Sequence, residues 1–219
     1  SGGAIQQHAI ADNYPGLFDG LIPSASFPDV WSIAPGAADA GLLSNYFNEI
    51  SPALWSDPQQ RAAVSGFGDW TLGVIWTVGN VRNIDPRTYC DDRVPADQIF
   101  HPENNPQGVR CSIIDAAVNI FGRDPDTGFA RRPLDNIGVQ YGLSALNEGL
   151  ITVEQFIDLN RHIGGFDVNG QLITERMEAD PEALRIAYAS GRVVNGGLGL
   201  AEVPIIDSGR YGDFSADYH

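Results

Sequence analysis

SGGAIQQHAIADNYPGLFDGLIPSAS, residues 1–26, decides how this chain is read. A serine and two glycines run directly into a segment in which Ile5, Ala9 and Ile10 recur at helical spacing, and Tyr14-Pro15-Gly16 closes that pattern. A helix of about three turns is predicted, since one α-helical turn takes 3.6 residues. LFDGLIPSAS then supplies a short apolar run ended by Pro23 and small residues, which fits a buried strand of a parallel sheet. The order is Ser-Gly-Gly, helix, strand.

In a nucleophile elbow, G-x-S-x-G, a serine sits on a strained turn between a strand and a helix, and neighbouring small residues relieve the crowding. Ser1-Gly2-Gly3 matches the second half of that motif. Two other origins for a leading serine stand beside it. One is an N-terminal nucleophile freed by autocleavage, with its own amine as base. The other is a non-catalytic acidic helical binding module that carries Ser-Gly-Gly as a scar. The first calls for a nucleophile at the start of a strand in an antiparallel sandwich, where this sequence reads as helix. The second leaves NYPGLFDGLIPSAS unexplained.

Farther along, residues 35–195 read as helical segments separated by Pro, Gly and Asp clusters: AADAGLLSNYFNEI, DPQQRAAVSGF, CSIIDAAVNIFG, IGVQYGLSALNEG, TVEQFIDLNRHIGG and DPEALRIAYASG. Thr152 with Gln155 forms a capping box, and Asp180 places an N-cap before Pro181. Gly149 and Gly191 stand where helix C-termini place glycine. FDVNGQLI reads as a small hairpin on an Asn-Gly turn. After residue 195 the run VPII predicts a second buried strand followed by an Asp- and Gly-rich loop. The expected architecture is therefore α/β: a core segment over 1–34, a large, mainly helical lid insertion over 35–195, and a return to the core over 196–219.

Composition narrows the partners. The net charge is −15, and all 13 basic residues are arginine. Such a surface repels a phosphate backbone, so nucleic acid is excluded as a partner. No apolar run reaches the ~18 residues that span a bilayer, and no membrane partner is expected. Cys90 and Cys111 enclose an irregular segment with three prolines, for which a disulfide is expected. That bridge would place the protein in an oxidising compartment, secreted or periplasmic. Two segments have acid spacing reminiscent of calcium loops. DPDTG at 124–128 reads as a helix-linking turn, and DVNGQ at 167–171 has its glycine at the fourth position where an EF-hand needs it at the sixth. No metal and no cofactor is assigned.

SGGAIQQHAIADNYPGLFDGLIPSASFPD resembles the region around the nucleophile in large bacterial α/β-hydrolase-like proteins, a group similar to tannases, feruloyl esterases and hydroxybutyrate-oligomer hydrolases. DNIGVQYGLSALNEGLITVEQFIDLNRHIGGFDVNG resembles the helical insertion of that group, so the likeness covers most of the chain. The resemblance implies a serine esterase acting on a phenolic ester, a hydroxyalkanoate oligomer or a lactone. Ser1 would be the acyl-accepting nucleophile, and the backbone N–H of Gly2 one oxyanion-hole donor. The order Ser, acid, His puts the acid after the returning strand. Counting nine residues from Pro204 gives Asp213, with Asp207 as competitor and Asp217 as third choice. His8, His101 and His162 precede that acid, and His219 follows Asp213 too closely. The general base is expected beyond residue 219, and with it upstream and downstream segments of the same protein. The small-molecule or oligomeric ester would lie under the lid, whose first half holds Trp55, Trp70 and Trp76; aromatics so placed are more often core than substrate platform.

Overall fold

The computed structural model describes residues 2–71 and 81–208. Helix α1 runs from Gly2 to Asn13, three turns as predicted, and buries Ala4, His8, Ala11 and Asp12. It packs on the 3-10 turn Gly199–Glu202 near the other end of the described chain. Gly199 is required there, because an added Cβ would come 2.4 Å from the Ala11 carbonyl oxygen.

The segments on either side of the long middle region meet. Leu21 bridges Ile205 and Ser24 bridges Ser208, both in parallel sense. Leu21 N–H donates to the Pro204 carbonyl, Ile206 N–H to Leu21, and Ser208 N–H to Pro23. The two predicted strands are therefore paired across about 180 residues of sequence, although their ladder is too short to form a regular sheet. Their burial differs from expectation. In the first segment Leu21 and Pro23 are buried and Ile22 is 69% exposed, whereas in the second both Ile205 (40%) and Ile206 (69%) are exposed among the described residues. Alternate side chains of an extended segment point to opposite faces, which accounts for the alternation at residues 21–23.

Helix α2 spans Val30–Asn45 and continues into a π-helical turn over Tyr46–Ile50. Its start lies seven residues ahead of the predicted segment. Asp29 caps it, Oδ1 accepting from Ser32 N–H at 2.6 Å, and Oδ2 also accepts from Val194 N–H at 2.9 Å. Pro35 sits inside the helix. A proline there lacks the N–H for its turn and crowds the carbonyl four residues back, the pattern that marks a helix boundary in sequence. The anchored cap and the burial of Ala34, Ala38, Leu42 and Leu43 outweigh that cost.

Helix α3 (Pro58–Ser65) is followed by short α4 (Ile113–Ala116), α5 (Val118–Phe121) and α6 (Leu143–Asn147). The predicted helix in IGVQYGLSALNEG shrinks to α6 because Gly138 and Gly142 adopt φ +78° and +77°, which breaks the run before Leu143. Helix α7 (Val153–His162) opens on the predicted capping box of Thr152 and Gln155, and α8 (Pro181–Ala189) opens on Asp180 with Pro181 in the first turn. Gly149 and Gly191 take left-handed φ just past α6 and α8. The predicted hairpin is present: β1 (Gly165–Phe166) pairs antiparallel with β2 (Leu172–Ile173).

The main core gathers α2, the π-turn and α7 around Tyr46, Phe47, Trp55 and Trp70. Trp55 and Trp70 are core residues; Trp55 Nε1 donates to Tyr46 Oη at 3.1 Å, and Tyr46 Oη donates to Asp158 Oδ2 at 2.5 Å. Cys90 and Cys111 form the expected disulfide. In the 124–128 turn, Asp124 Oδ1 accepts from Thr127 N–H at 2.7 Å and from the Thr127 hydroxyl at 2.8 Å, the satisfaction of an ordinary Asx turn. Asp167 likewise accepts from Asn169 and Gln171 within the hairpin loop. No helix among the described residues is long and apolar enough to cross a membrane.

Candidate functional site

Ser24 is the last bridged residue of the first extended segment, and Ser26, Phe27 and Pro28 directly beyond it line a cavity of about 620 Å³. α2 provides one wall, the end of α3 a second, and residues 139–145 a third. Crevices beyond the carboxyl ends of parallel strands are where α/β proteins bind ligands, because the chain turns away there and leaves space between crossing elements. Ala25, between the bridge and the cavity rim, has φ +47° although it carries a Cβ. Such a conformation costs of order 1 kcal/mol or more and persists only where the surroundings impose it.

α1 reaches the same rim through His8. Its Nδ1 lies 3.2 Å from the Phe27 carbonyl, and its Nε2 3.5 Å from Ser26 Oγ. With the Nδ1 proton given to that carbonyl, Nε2 is left as an acceptor for the Ser26 hydroxyl. The helix that follows Ser1 in sequence is thereby tied to the wall of the cavity, and His8 is a packed, hydrogen-bonded residue beside it.

The wall holds one carboxylate amid small apolar side chains. Asp39 lines the cavity from α2, between Ala37 and Ala40. Tyr141 Oη donates to its Oδ1 at 2.5 Å. Tyr141 is itself held: Asn136, fully buried, donates from Nδ2 to Tyr141 Oη at 3.1 Å and to the Gly164 carbonyl at 2.9 Å, while its Oδ1 accepts from Met177 N–H at 2.7 Å. Arg176 stacks 5.2 Å from the centre of the Tyr141 ring and donates to the carbonyls of Asn136, Val139 and Asn160. Burial raises the Asp39 carboxyl to about 6. The Tyr141 hydrogen bond and the charge of Arg176 oppose that rise, and Asp135 adds to it. Burial and the adjacent Asp39 charge also push the Tyr141 phenol up, so it stays a donor.

The predicted site residues fall as follows. Ser1, Asp213, Asp217, His219 and Trp76 lie outside the described residues. Gly2 is the exposed first residue of α1, with nothing within 4 Å of a Cβ built on it. Asp207 is exposed beside the Ser208 bridge, and no described residue hydrogen-bonds its carboxylate. His162 ends α7 and pairs with Asp158 at 3.0 Å. His101 Nδ1 accepts from Glu103 and Asn104 N–H groups. An N-terminal-nucleophile enzyme needs residue 1 at the head of a strand in an antiparallel sandwich; here α1 begins at Gly2, and the regular sheet among the described residues is the β1–β2 hairpin.

Sequence reasoning missed Asp39 and Tyr141. The signal for Asp39 was present: it is the lone charge in GAADAGLL, a run of small and apolar residues in which Ala37, Ala38 and residues 40–43 are buried. Tyr141 stands 102 residues away and carries no local mark of the pairing.

The described chain is thus a mainly helical protein whose two parallel-paired segments lead to a half-open pocket. Residues 1–219 match one family model throughout, and the chain belongs to the tannase-like family of unknown function DUF6351. No curated protein and no solved structure matches it.

Proposed function

We propose that this protein is a serine hydrolase that cleaves a carboxylic ester through an acyl-enzyme, with the α/β-hydrolase elbow at Ser1-Gly2-Gly3 and residues 35–195 as its lid. The observation that carries the reading is the cavity just past the carboxyl end of the parallel-paired segment, in a chain that belongs to a tannase-like family. Helix α1, starting at Gly2 and touching the cavity rim through His8, is compatible with the helix that would follow an elbow, which supports the reading.

In this mechanism Ser1 Oγ attacks the ester carbonyl, and a histidine takes its proton and returns it to the leaving alcohol. Gly2 N–H stabilises the oxyanion, a contact worth roughly 3 kcal/mol in comparable sites. Asp213, with Asp207 as competitor, fixes the histidine tautomer. His8, His101 and His162 hold other partners, so the base is assigned to a histidine outside the described residues. The open apolar face at Ile22 and Ile206 is where this reading packs further core segments of the same protein. The disulfide fits maturation in an oxidising compartment, secreted or periplasmic.

A panel of esters graded in acyl size tests the reading on the full-length protein. Gly36 lines the cavity, and a Cβ built there meets nothing within 4 Å, so Gly36→Leu starts its side chain in open space and narrows the cavity. Hydrolysis abolished by Ser1→Ala, with bulky esters disfavoured at least tenfold by Gly36→Leu, is the expected result. Ester turnover that survives Ser1→Ala, or is insensitive to Gly36→Leu across the panel, refutes it.

A further inference from the structure

Tyr141 occupies one oxygen of Asp39, and Oδ2 takes no hydrogen bond from any described residue. The carboxylate is fixed from behind by a chain of satisfied groups, Gly164 carbonyl to Asn136 to Tyr141, so it cannot swing away to seek water without breaking that chain. Much of the surrounding cavity wall is apolar, with Ile33, Ala37, Ala40 and Leu43 on α2 and Val64 on α3; Ser26, Ser32, Ser65, Gln140 and Ser144 also line it but make no hydrogen bond to Asp39. A rigid acceptor in an apolar pocket selects its ligand, because a group that cannot donate leaves it desolvated and unpaired.

We propose that Asp39 is a specificity-determining residue of this cavity, accepting at Oδ2 a hydrogen bond from a neutral hydroxyl borne by an otherwise apolar ligand. The inference rests on reading the cavity as the substrate site. A hydroxyl is favoured over an ammonium group for two reasons. Arg176 already supplies a positive charge near the pair. An ammonium must also shed a far larger hydration shell to enter walls of alanine, leucine and valine. The raised Asp39 carboxyl agrees, since it reports a site in which ionic solvation is poor.

The test uses two amides that an esterase leaves intact, N-methyl-6-hydroxyhexanamide and N-methyl-6-methoxyhexanamide, with N-methyl-6-ammoniohexanamide as the cationic control. Dissociation constants are measured by NMR titration at pH 8 on the full-length wild-type protein and on Asp39→Asn and Tyr141→Phe. The ether keeps the oxygen and replaces the donated proton with a methyl group, and the Asp39→Asn arm separates lost donation from added bulk. Wild type should bind the hydroxyl amide about tenfold tighter than the ether, the scale of one hydrogen bond to a charged acceptor. In Asp39→Asn, Tyr141 still donates to the side-chain oxygen and an N–H replaces Oδ2, so the ratio should fall to about one. Tyr141→Phe keeps the carboxylate and should keep a preference for the hydroxyl. Equal binding of the two amides by wild type, no binding of either, a ratio retained in Asp39→Asn, or tighter binding of the ammonium amide overturns the proposal. The methyl esters of the same two acids separate this from the hydrolase reading. Selective amide binding without ester turnover removes the hydrolase and leaves the hydroxyl site; equal turnover of both esters does the reverse.

Discussion

Asp39→Asn should make the protein more stable at pH 8 and leave it unchanged at pH 3. In the folded state the carboxyl titrates near 6, against an ordinary value of 3.8. Between those two values the folded chain holds a proton that the unfolded chain has released, so stability falls as pH rises through the window. Below it both states are protonated and the site costs nothing. Above it both are ionised, and the full cost of holding the charge in the cavity wall remains. At about 1.4 kcal/mol for each tenfold change, that cost is at most about 3 kcal/mol. Asp39 is only partly enclosed, and water in the cavity screens it, so about 1–2 kcal/mol is the expected gain. The substitution keeps the Tyr141 donor bond through the amide oxygen, which isolates the charge as the variable. Urea denaturation of both proteins at intervals from pH 3 to pH 8 measures the difference directly. The two stability curves should coincide near pH 3, separate between about pH 4 and pH 6, and run parallel above pH 7. Curves that run parallel from pH 3 to pH 8, or a variant that is the weaker protein at pH 8, would show that Asp39 is not held at the expense of the fold.

Three further outcomes follow from the same geometry. Replacing Cys90 and Cys111 together by serine releases a loop with a sequence separation of 21 residues and should cost about 3 kcal/mol, read as a drop in Tm of roughly 6–12 °C; an unchanged Tm contradicts it. Gly164→Ala should destabilise by more than 2 kcal/mol in urea denaturation, since Gly164 has φ +67° and the new Cβ would lie 2.2 Å from the Ile173 carbonyl oxygen; near-wild-type stability would mean that the hairpin shifts freely. Asp213→Asn should lower ester turnover on the order of 10⁴-fold with folding retained, and Asp207→Asn far less; kinetics with the opposite ranking transfer the role to Asp207.

Features specified by neighbours in sequence were legible from sequence alone. The Thr152–Gln155 box, the Asp180–Pro181 start of α8 and the 165–173 hairpin each depend on residues within a few positions, so side-chain chemistry and spacing define them together. The disulfide was legible because only two cysteines exist and the loop between them has little periodicity. The start of α2 was not, since Pro35 imitates a boundary and the cap at Asp29 is reinforced by Val194, which is distant in sequence. Burial of the two extended segments was overestimated for a related reason. An apolar run such as GLIP or VPII records what a residue prefers, not which face the rest of the chain covers. The Asp39–Tyr141 pair joins residues 102 positions apart directly, with Asn136 holding Tyr141 in place, and no local pattern encodes that distance.

The most direct measurement is covalent labelling of the full-length protein with a fluorophosphonate, followed by mass spectrometry of the modified peptide. A serine hydrolase with its elbow at residue 1 should be labelled at Ser1 and nowhere else, and prior incubation with a hydrolysable ester should slow the reaction. A folded protein that takes no label, or takes it at a different serine such as Ser26 on the cavity rim, contradicts the assignment of the nucleophile.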